Sequence, residues 1–319
     1  MIYRKTDPSE NIVNCRKNQL LSYLDAEKFP IKLLFYNSYE DTQKILEHLR
    51  EPQKNRFNYK SNIINERDLH EIPGFVYKSE HFVTVNEAII RIEDLLHQEK
   101  VLFVFGDCFY LPHRLDHYNK TNSVHSILIA SFLSTSSNEI KIIDDEFDLM
   151  RNTFGKKYTE YVYKEAVIKR FISRENGDIT VNYFDNLNTP YGNSAVKFYF
   201  EKFQEFISNI ILNFTIYEEM KNVNNDYNNF DWDDALRLLF GSRYFFREFV
   251  LYYHDLNIIY SQLLISQIDN IVQHLEIILN TYHKSLITKK LDAVKFEKKV
   301  YETYLLEVEF TKTLVKLFR

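Results

Sequence analysis

The apolar pattern of the chain changes near residue 150, and this change restricts the folds that the chain can adopt. Before that point, short strand-like runs alternate with helical segments. From Ser194 onward, apolar residues recur at the spacing of amphipathic helices. A chain of 319 residues is also longer than one domain core usually needs. We therefore predict two domains, residues 1–150 and residues 151–319.

The composition argues against several classes of protein. The 40 basic and 45 acidic residues leave a net charge of -5, which is unlike a protein that binds nucleic acid by neutralising phosphates. Two cysteines cannot form a disulfide framework, and this favours a reducing compartment. The N-terminus lacks a signal-peptide pattern, and no apolar run approaches the roughly 18 to 20 residues of a membrane helix. We expect a cytoplasmic protein with no nucleic-acid or membrane partner.

The N-terminal half is predicted to be α+β, with helices preceding an antiparallel sheet. Strand-like runs that contain His125 and Asp144 flank Ser134–Ser137 and are expected to pair as a hairpin. Within the helix predicted over 86–97, Ile90 is expected to face inward. One helix is predicted to start near Cys15, and two more are predicted over 41–49 and 86–97. The predicted strands cover 31–36, 101–105, 124–133 and 140–144. Residues 52–71 are predicted to be a surface loop.

The C-terminal half is predicted to begin with a β-hairpin and to continue as a helical bundle. The pair Asn176-Gly177 favours a tight turn between two strands, residues 161–173 and 178–184. Long amphipathic segments then predict helices over 195–220, 242–282 and 286–318, with one break allowed within 242–282.

Motifs for nucleotide or metal binding are weak or absent. The sequence contains no Gly-rich phosphate loop of the common spacings. His113 and His117 are four residues apart and could share a helical face, but the Glu of a zinc-peptidase motif is missing beside the first His. The other interpretation is a polar loop in which Asp116 orients a neighbouring imidazole. We predict no metal and no resident cofactor.

Cys15 is the stronger candidate for a reactive group. It lies at the predicted start of a helix, where unsatisfied amides and the helix dipole stabilise a thiolate, and Arg16 and Lys17 act in the same direction. The alternative is that Cys15 is a small buried apolar residue. Cys108 is a rival nucleophile that ranks lower because it lacks a helix N-terminus.

His125 and Asp144 are candidates for a base and the residue that orients it. If their strands pair across 134–137, His125 lies opposite residue 146, and Asp144 is a diagonal neighbour on the same face. A carboxylate in that position can select the imidazole tautomer, which with Cys15 would complete a Cys-His-Asp triad. The alternatives are a buried structural histidine and an aspartate in a strand-end turn.

This order of residues resembles a papain-like fold, specifically the double-glycine-leader peptidase domains of bacteriocin exporters. A closer resemblance is to the butirosin biosynthesis protein H family, with its pattern Asp-x-x-Tyr-Leu-Pro, then His on a strand, then a strand that ends in Asp. Here the pattern is Asp107–Pro112, His125 and Ile142–Asp144, and the resemblance covers roughly residues 10–146.

The resemblance implies a papain-like (bacteriocin-leader-peptidase-like) catalytic domain that acts as a cysteine acyltransferase. Such an enzyme moves an acyl or peptidyl group from a carrier-protein thioester to a small amine, forming an amide in natural-product (non-ribosomal peptide-like) antibiotic biosynthesis. The amide-forming cysteine protease homologue of closthioamide assembly is a similar case. The carrier protein would supply the phosphopantetheine, so no cofactor is resident. The C-terminal half would dock the substrate or the carrier.

The sequence departs from the papain pattern at the oxyanion hole. Ser9 stands about six residues before Cys15, where papain-like enzymes usually have a Gln, and Gln19 lies downstream. The Cys15 backbone N–H, assisted by a nearby Asn, is the expected substitute. The oxyanion or substrate-positioning candidates are Asn14, Asn11, Asp107 and Tyr110.

Two functions other than acyl transfer are also compatible with the sequence. The same triad would serve a cysteine peptidase or amidase, and the helical half could be the working surface of a non-catalytic interaction protein. The segment from Lys284 to Arg319 is richer in basic than in acidic residues, which would suit an acidic carrier protein. The alternative is a solvated helix face with compensating glutamates.

Overall fold

The computed structural model describes residues 13–134, 138–148, 153–173, 178–187, 192–210, 213–221 and 230–319. Its α-helices and strands are α1 (Cys15–Ala26), α2 (Thr42–Arg50), α3 (Glu66–His70), β1 (Phe75–Phe82), α4 (Val85–His97), β2 (Leu102–Asp107), β3 (Val124–Ser134), β4 (Glu139–Asp148), β5 (Thr153–Lys164), α5 (Glu165–Ile172), β6 (Ile179–Asn186), α6 (Gly192–Asn209), α7 (Thr215–Met220), α8 (Trp232–Asp255), α9 (Gln262–Thr288) and α10 (Ala293–Phe318). Short 3-10 helices cover Ile31–Phe35, Arg56–Asn58 and Cys108–Tyr110.

The chain divides into two compact units that are each built from separate segments. The first contains Cys15–Phe29 and the described part of Glu66–Tyr191. The second contains residues 13–14, Pro30–Asn65 and the described part of Gly192–Arg319. This division differs from the expected boundary at residue 150, because β5 and β6 belong to the same sheet as the strands that precede them.

The first unit is built on an antiparallel sheet of six strands in the order β1-β6-β2-β3-β4-β5. The predicted α+β class is therefore confirmed, as is the pairing of β3 with β4, in which Leu128 faces Ile143 and Ile129 faces Ile142. The hairpin predicted from residues 161–173 and 178–184 is wrong. β5 pairs with β4, and β6 pairs with β1 and β2.

A helix replaces the second half of the first predicted hairpin strand. In α5, Ile168, Phe171 and Ile172 are buried, which is a helical spacing. This apolar face packs against the sheet, and Gly106 of β2 permits the close approach. A Cβ at residue 106 would lie 2.2 Å from the carbonyl oxygen of Phe171.

Helix α4 covers part of the same core. It begins at a capping box in which Thr84 and Glu87 satisfy each other's backbone N–H groups. Ile89 and Ile92 are buried against the sheet, whereas Ile90 is 66% exposed, so the prediction that Ile90 faces inward is wrong. The helical period of 3.6 residues per turn carries position 90 away from a face centred on 89 and 92.

The second unit is helical, as predicted, but its elements are shorter. The segment expected as one helix over 195–220 is split into α6 and α7. The segment over 242–282 is interrupted once, between Asp255 and Gln262, as the sequence prediction allowed. The predicted strand at 31–36 is a 3-10 helix, because a short apolar run carries no periodicity that separates the two forms. The predicted loop 52–71 contains the short helix α3.

The described helices of the second unit include none that combines the length and the apolar character required to cross a membrane, and the same holds for those of the first unit.

Candidate active site

Cys15 is the first residue of α1 and is partly exposed. The helix is attached to β3 by Gln19, whose Nε2 donates a hydrogen bond to the carbonyl oxygen of Ser126 (2.5 Å). The hydroxyl of Ser126 in turn donates to Oε1 of Gln19 (2.6 Å), and both side chains are buried. These two hydrogen bonds hold the first turns of α1 against β3 at Ser126, the residue directly after His125.

His125 lies near the start of β3, opposite Gly106 of β2. Its Nε2 is 2.7 Å from Oδ1 and 2.9 Å from Oδ2 of Asp144, and both residues are buried. Continuing the β3–β4 register from Leu128 and Ile143 puts Asp144 diagonally across from His125, which is the geometry that the sequence predicts.

The thiol of Cys15 is hydrogen-bonded to the imidazole of His125. Because Nε2 of this ring faces Asp144, Nδ1 is the nitrogen that remains for the thiol. Burial raises the pKa of Cys15. The charge of His125, its hydrogen bond and a hydrogen bond from the Ser126 backbone together lower this pKa by more than burial raises it. The net pKa of the thiol lies below its ordinary value.

The charge of His125 favours the thiolate directly, whereas the charge of Asp144 raises the pKa of Cys15 and favours the thiolate only through His125. Burial lowers the pKa of His125, but the charges of Asp144 and Cys15 and their hydrogen bonds raise it well above its ordinary value. Burial raises the pKa of Asp144, and the charge of His125 with hydrogen bonds from His113 and His125 lowers it below its usual range. A thiolate, an imidazolium and a carboxylate in this order can perform nucleophilic catalysis.

His113 is a fourth member of the cluster that the sequence did not place there. Its Nε2 is 2.8 Å from Oδ2 of Asp144, and its Nδ1 is 2.9 Å from the hydroxyl of Tyr163. The ring stacks on Tyr161 with 3.9 Å between centroids. A contact between a loop and a strand has no periodic signal, so spacing alone could not reveal it.

The predicted pairing of His113 with His117 is not found. Nδ1 of His117 lies 2.8 Å from the hydroxyl of Thr121, and Asp116 forms an ion pair with Arg114 at 2.8 Å. Among the residues that the structure describes, no cluster of three or more His, Cys, Asp or Glu side chains could hold a metal ion.

The weaker candidates have structural contacts or stay predictions. Asp107 accepts hydrogen bonds from the backbone N–H groups of Phe109 (3.0 Å) and Ser123 (2.9 Å), which shapes the loop after β2. Tyr110 packs against the apolar core of the sheet. Asn14 directly precedes α1, and Asn11 lies outside the described residues, so their proposed oxyanion role stays a prediction.

Cys108 is poorly suited to act as the nucleophile. It is buried at 1% exposure, whereas Cys15 is partly exposed. Burial also raises the pKa of Cys108 to about 11.

No known family model matches the chain. The chain is similar to a curated protein of Niallia circulans described as ribostamycin:4-(gamma-L-glutamylamino)-(S)-2-hydroxybutanoyl-[BtrI acyl-carrier protein] 4-(gamma-L-glutamylamino)-(S)-2-hydroxybutanoate transferase. The two are 26% identical over 253 residues, which are 77% of this chain and 78% of the relative. That relative is thus a transferase that acts on an acyl-carrier protein substrate.

Proposed function

We propose that this chain is a cysteine-dependent acyl or peptidyl transferase that forms an amide between a carrier-protein thioester and a small amine in antibiotic biosynthesis. The observation that carries the proposal is the contact of Cys15, at the N-terminus of α1, with His125, which in turn contacts Asp144. The described activity of the Niallia circulans relative supports the thioester as donor.

In the first step, the thiolate of Cys15 attacks the thioester carbonyl. The carbon–sulfur bond to phosphopantetheine breaks, and the departing sulfur takes the proton of the His125 imidazolium. The product is an acyl-Cys15 thioester, which has nearly the same energy as the donor. The backbone N–H of Cys15 with Asn14 or Asn11 would stabilise the negative oxygen.

In the second step, the amine attacks the acyl-Cys15 carbonyl. His125 accepts the proton that the nitrogen loses, the bond to Cys15 breaks, and the thiolate–imidazolium pair is restored. Asp144 remains ionised throughout and holds His125 in one orientation. No cofactor beyond the phosphopantetheine of the donor takes part in this scheme.

We also propose that the first unit is papain-like, because a helix with a cysteine at its N-terminus packs against an antiparallel sheet that carries the histidine and the aspartate. The helical second unit is proposed to dock the substrate or the carrier, and the site of action is proposed to be the cytoplasm. A cysteine peptidase or amidase is the second candidate function, since the same three side chains would serve it.

The test loads an acyl group on a carrier protein, incubates it with the enzyme, and searches for the acyl group on the Cys15 peptide by mass spectrometry. An acyl-Cys15 adduct that disappears with amide formation when an amine is added is the expected result. The Cys108→Ala variant is the matched control and should react normally. Cleavage of peptides, without acylation by any thioester, would support the peptidase instead.

A further inference from the structure

We propose that His113 is a positioning residue that holds the Asp144 carboxylate from a second side and thereby orients His125 toward Cys15. This inference rests on the proposed function, in which Cys15, His125 and Asp144 act together. It concerns a residue outside the three that the sequence pattern singles out. Three observations support it: the satisfaction of a buried carboxylate, the hydrogen-bond partner of Nδ1 of His113, and the packing of its ring.

The first observation is the number of donors around Asp144. Its side chain is fully buried, and a buried carboxylate is costly unless both oxygens receive hydrogen bonds. His125 makes its shorter contact with Oδ1, at 2.7 Å. His113 reaches Oδ2 at 2.8 Å, and its own side chain is only 4% exposed. Together the two imidazoles satisfy both oxygens of the carboxylate.

The second observation is the partner on the other ring nitrogen. Nδ1 of His113 is 2.9 Å from the hydroxyl of Tyr163. A tyrosine hydroxyl can donate to Nδ1, which then requires the ring proton to be on Nε2, the nitrogen that faces Asp144. Tyr163 therefore selects the tautomer in which His113 donates to the carboxylate.

The third observation is the stacking of the ring. The imidazole of His113 lies on Tyr161 with 3.9 Å between centroids and 20° between planes. Stacking limits rotation of the ring about its axis, so Nε2 stays directed at Asp144. The residues Tyr161 and Tyr163 both belong to β5, the strand that pairs with the strand of Asp144.

A carboxylate held in this way gives His125 one orientation, with Nδ1 toward the thiol. Without the donor on Oδ2, the carboxylate can turn or take up a proton, and either change weakens the imidazolium that supports the Cys15 thiolate. The loss should therefore raise the pH at which Cys15 becomes reactive. The other charged or titratable groups around Asp144 and His125 are Cys108, Arg114, Asp145, Tyr158, Tyr161 and Tyr163.

The test compares variants that distinguish the effect of the N–H donor of His113 from the effect of its aromatic ring. His113→Phe keeps an aromatic ring on Tyr161 and removes the donor, His113→Gln keeps an N–H near the position of Nε2, and Tyr163→Phe removes the tautomer-selecting hydroxyl. The measurement is the rate of Cys15 alkylation by iodoacetamide between about pH 5 and pH 9, the range that brackets an ordinary thiol midpoint. Because it needs no acyl donor, it is independent of whether the transferase proposal holds.

We expect His113→Phe to move the midpoint upward and to slow alkylation at low pH by about ten- to a hundredfold, since the thiolate fraction below the midpoint falls about tenfold for each unit by which the thiol pKa rises. His113→Gln should restore most of the rate. An unchanged pH profile in His113→Phe, or equal losses in His113→Phe and His113→Gln, would overturn the proposal. If His113→Phe fails to fold by circular dichroism, Tyr163→Phe decides: a raised midpoint supports the proposal and an unchanged one refutes it.

Discussion

The two cysteines of the chain differ in every property that governs reactivity. Cys15 is partly exposed, lies at a helix N-terminus and is hydrogen-bonded to His125, whereas Cys108 is buried and has a raised pKa. A reactive thiol requires access and a lowered pKa together. Only Cys15 has both.

We therefore expect iodoacetamide at neutral pH to label Cys15 before Cys108 in the native protein. Cys15→Ala should abolish acyl transfer while leaving the fold intact, because it removes a single sulfur from a helix end. Cys108→Ala is the matched control and should retain most of the activity. Turnover that survives in Cys15→Ala and is lost in Cys108→Ala would reverse the assignment.

The pH dependence of this labelling follows from the sign of the shifts. A lowered pKa of the Cys15 thiol means that thiolate is present at a pH where an ordinary cysteine, with a pKa of about 8.5, is protonated. Alkylation should thus reach its plateau at lower pH than for free cysteine. His125→Ala removes the charge and the side-chain hydrogen bond that lower the thiol pKa most, and should shift the midpoint upward.

Asp144→Asn should move the same midpoint less than His125→Ala does, because the imidazole itself remains. Acyl transfer should fall by several orders of magnitude in His125→Ala, and by less in Asp144→Asn. Both quantities are measured on the same preparations, with circular dichroism as the check on folding. A midpoint in His125→Ala equal to that of the native protein would show that His125 does not activate the thiol.

The strand β2 connects the packing of the sheet to the site. Gly106 faces His125 in the β2–β3 register, and its missing side chain lets α5 approach. A Cβ there would meet the backbone of Phe171, which cannot move as a side chain can. The position of His125 therefore depends on the packing of α5, a helix that contributes none of the three proposed catalytic residues.

Gly106→Ala is expected to lower the free energy of unfolding by about 1–3 kcal/mol, the usual cost of overpacking a core. Activity should fall with it, since the strain acts directly beside His125. Ile90→Ala, on the exposed face of α4, is the control and should change stability by less than about 0.5 kcal/mol. Urea unfolding of both variants measures the difference, and equal stabilities would contradict the packing argument.

The elements also explain which parts of the site were predictable. The register of two paired strands determines which residues are diagonal neighbours. The two strand-like runs in the sequence were therefore enough to predict that His125 lies beside Asp144. The contact of His113 with the same carboxylate joins a loop to a strand, and the bond between Gln19 and Ser126 joins a helix to a strand. Such contacts depend on tertiary packing, which has no local sequence period.

The chain as a whole is not a simple succession of two domains. The segment Pro30–Asn65 leaves the first unit after α1 and belongs to the second, where the backbone carbonyl of Glu40 accepts a hydrogen bond from Arg243 at 2.7 Å. Arg243 is also paired with Glu307 of α10 in a buried ion pair. An early segment of the chain is therefore required for the core of the helical unit, and a cut at residue 150 would separate strands of one sheet.

The same helix, α10, carries lysines of the basic segment from Lys284 to Arg319, which would suit an acidic partner. Lys295 and Lys298 are exposed and Lys299 is partly exposed. Lys295 lies 3.0 Å from Asp292, and Lys299 lies 3.0 Å from Glu302, so part of their charge is already balanced. Surface pairs of this kind are weak, which leaves the lysines available to a charged partner.

If the helical unit docks a carrier protein, reversing Lys295, Lys298 and Lys299 together to Glu should reduce kcat/KM for the carrier-bound donor by about tenfold at low salt. The use of a small free thioester should be almost unchanged, because only a protein donor needs this surface. The difference should shrink at high salt, where exposed charges are screened. The control reverses three exposed lysines elsewhere, Lys44, Lys60 and Lys197, with the same change in net charge.

The changes in rate for the two donors, measured in the α10 variant and in the control variant, distinguish four explanations. A loss confined to the carrier-bound donor and to the α10 variant would support docking on this helix. An equal loss in the control variant would attribute the effect to net charge, which steers any acidic partner without a defined surface. An equal loss with both donors would indicate a damaged fold, and unchanged rates with both would make these lysines an ordinary solvated face. Only the first pattern is compatible with α10 as the docking surface.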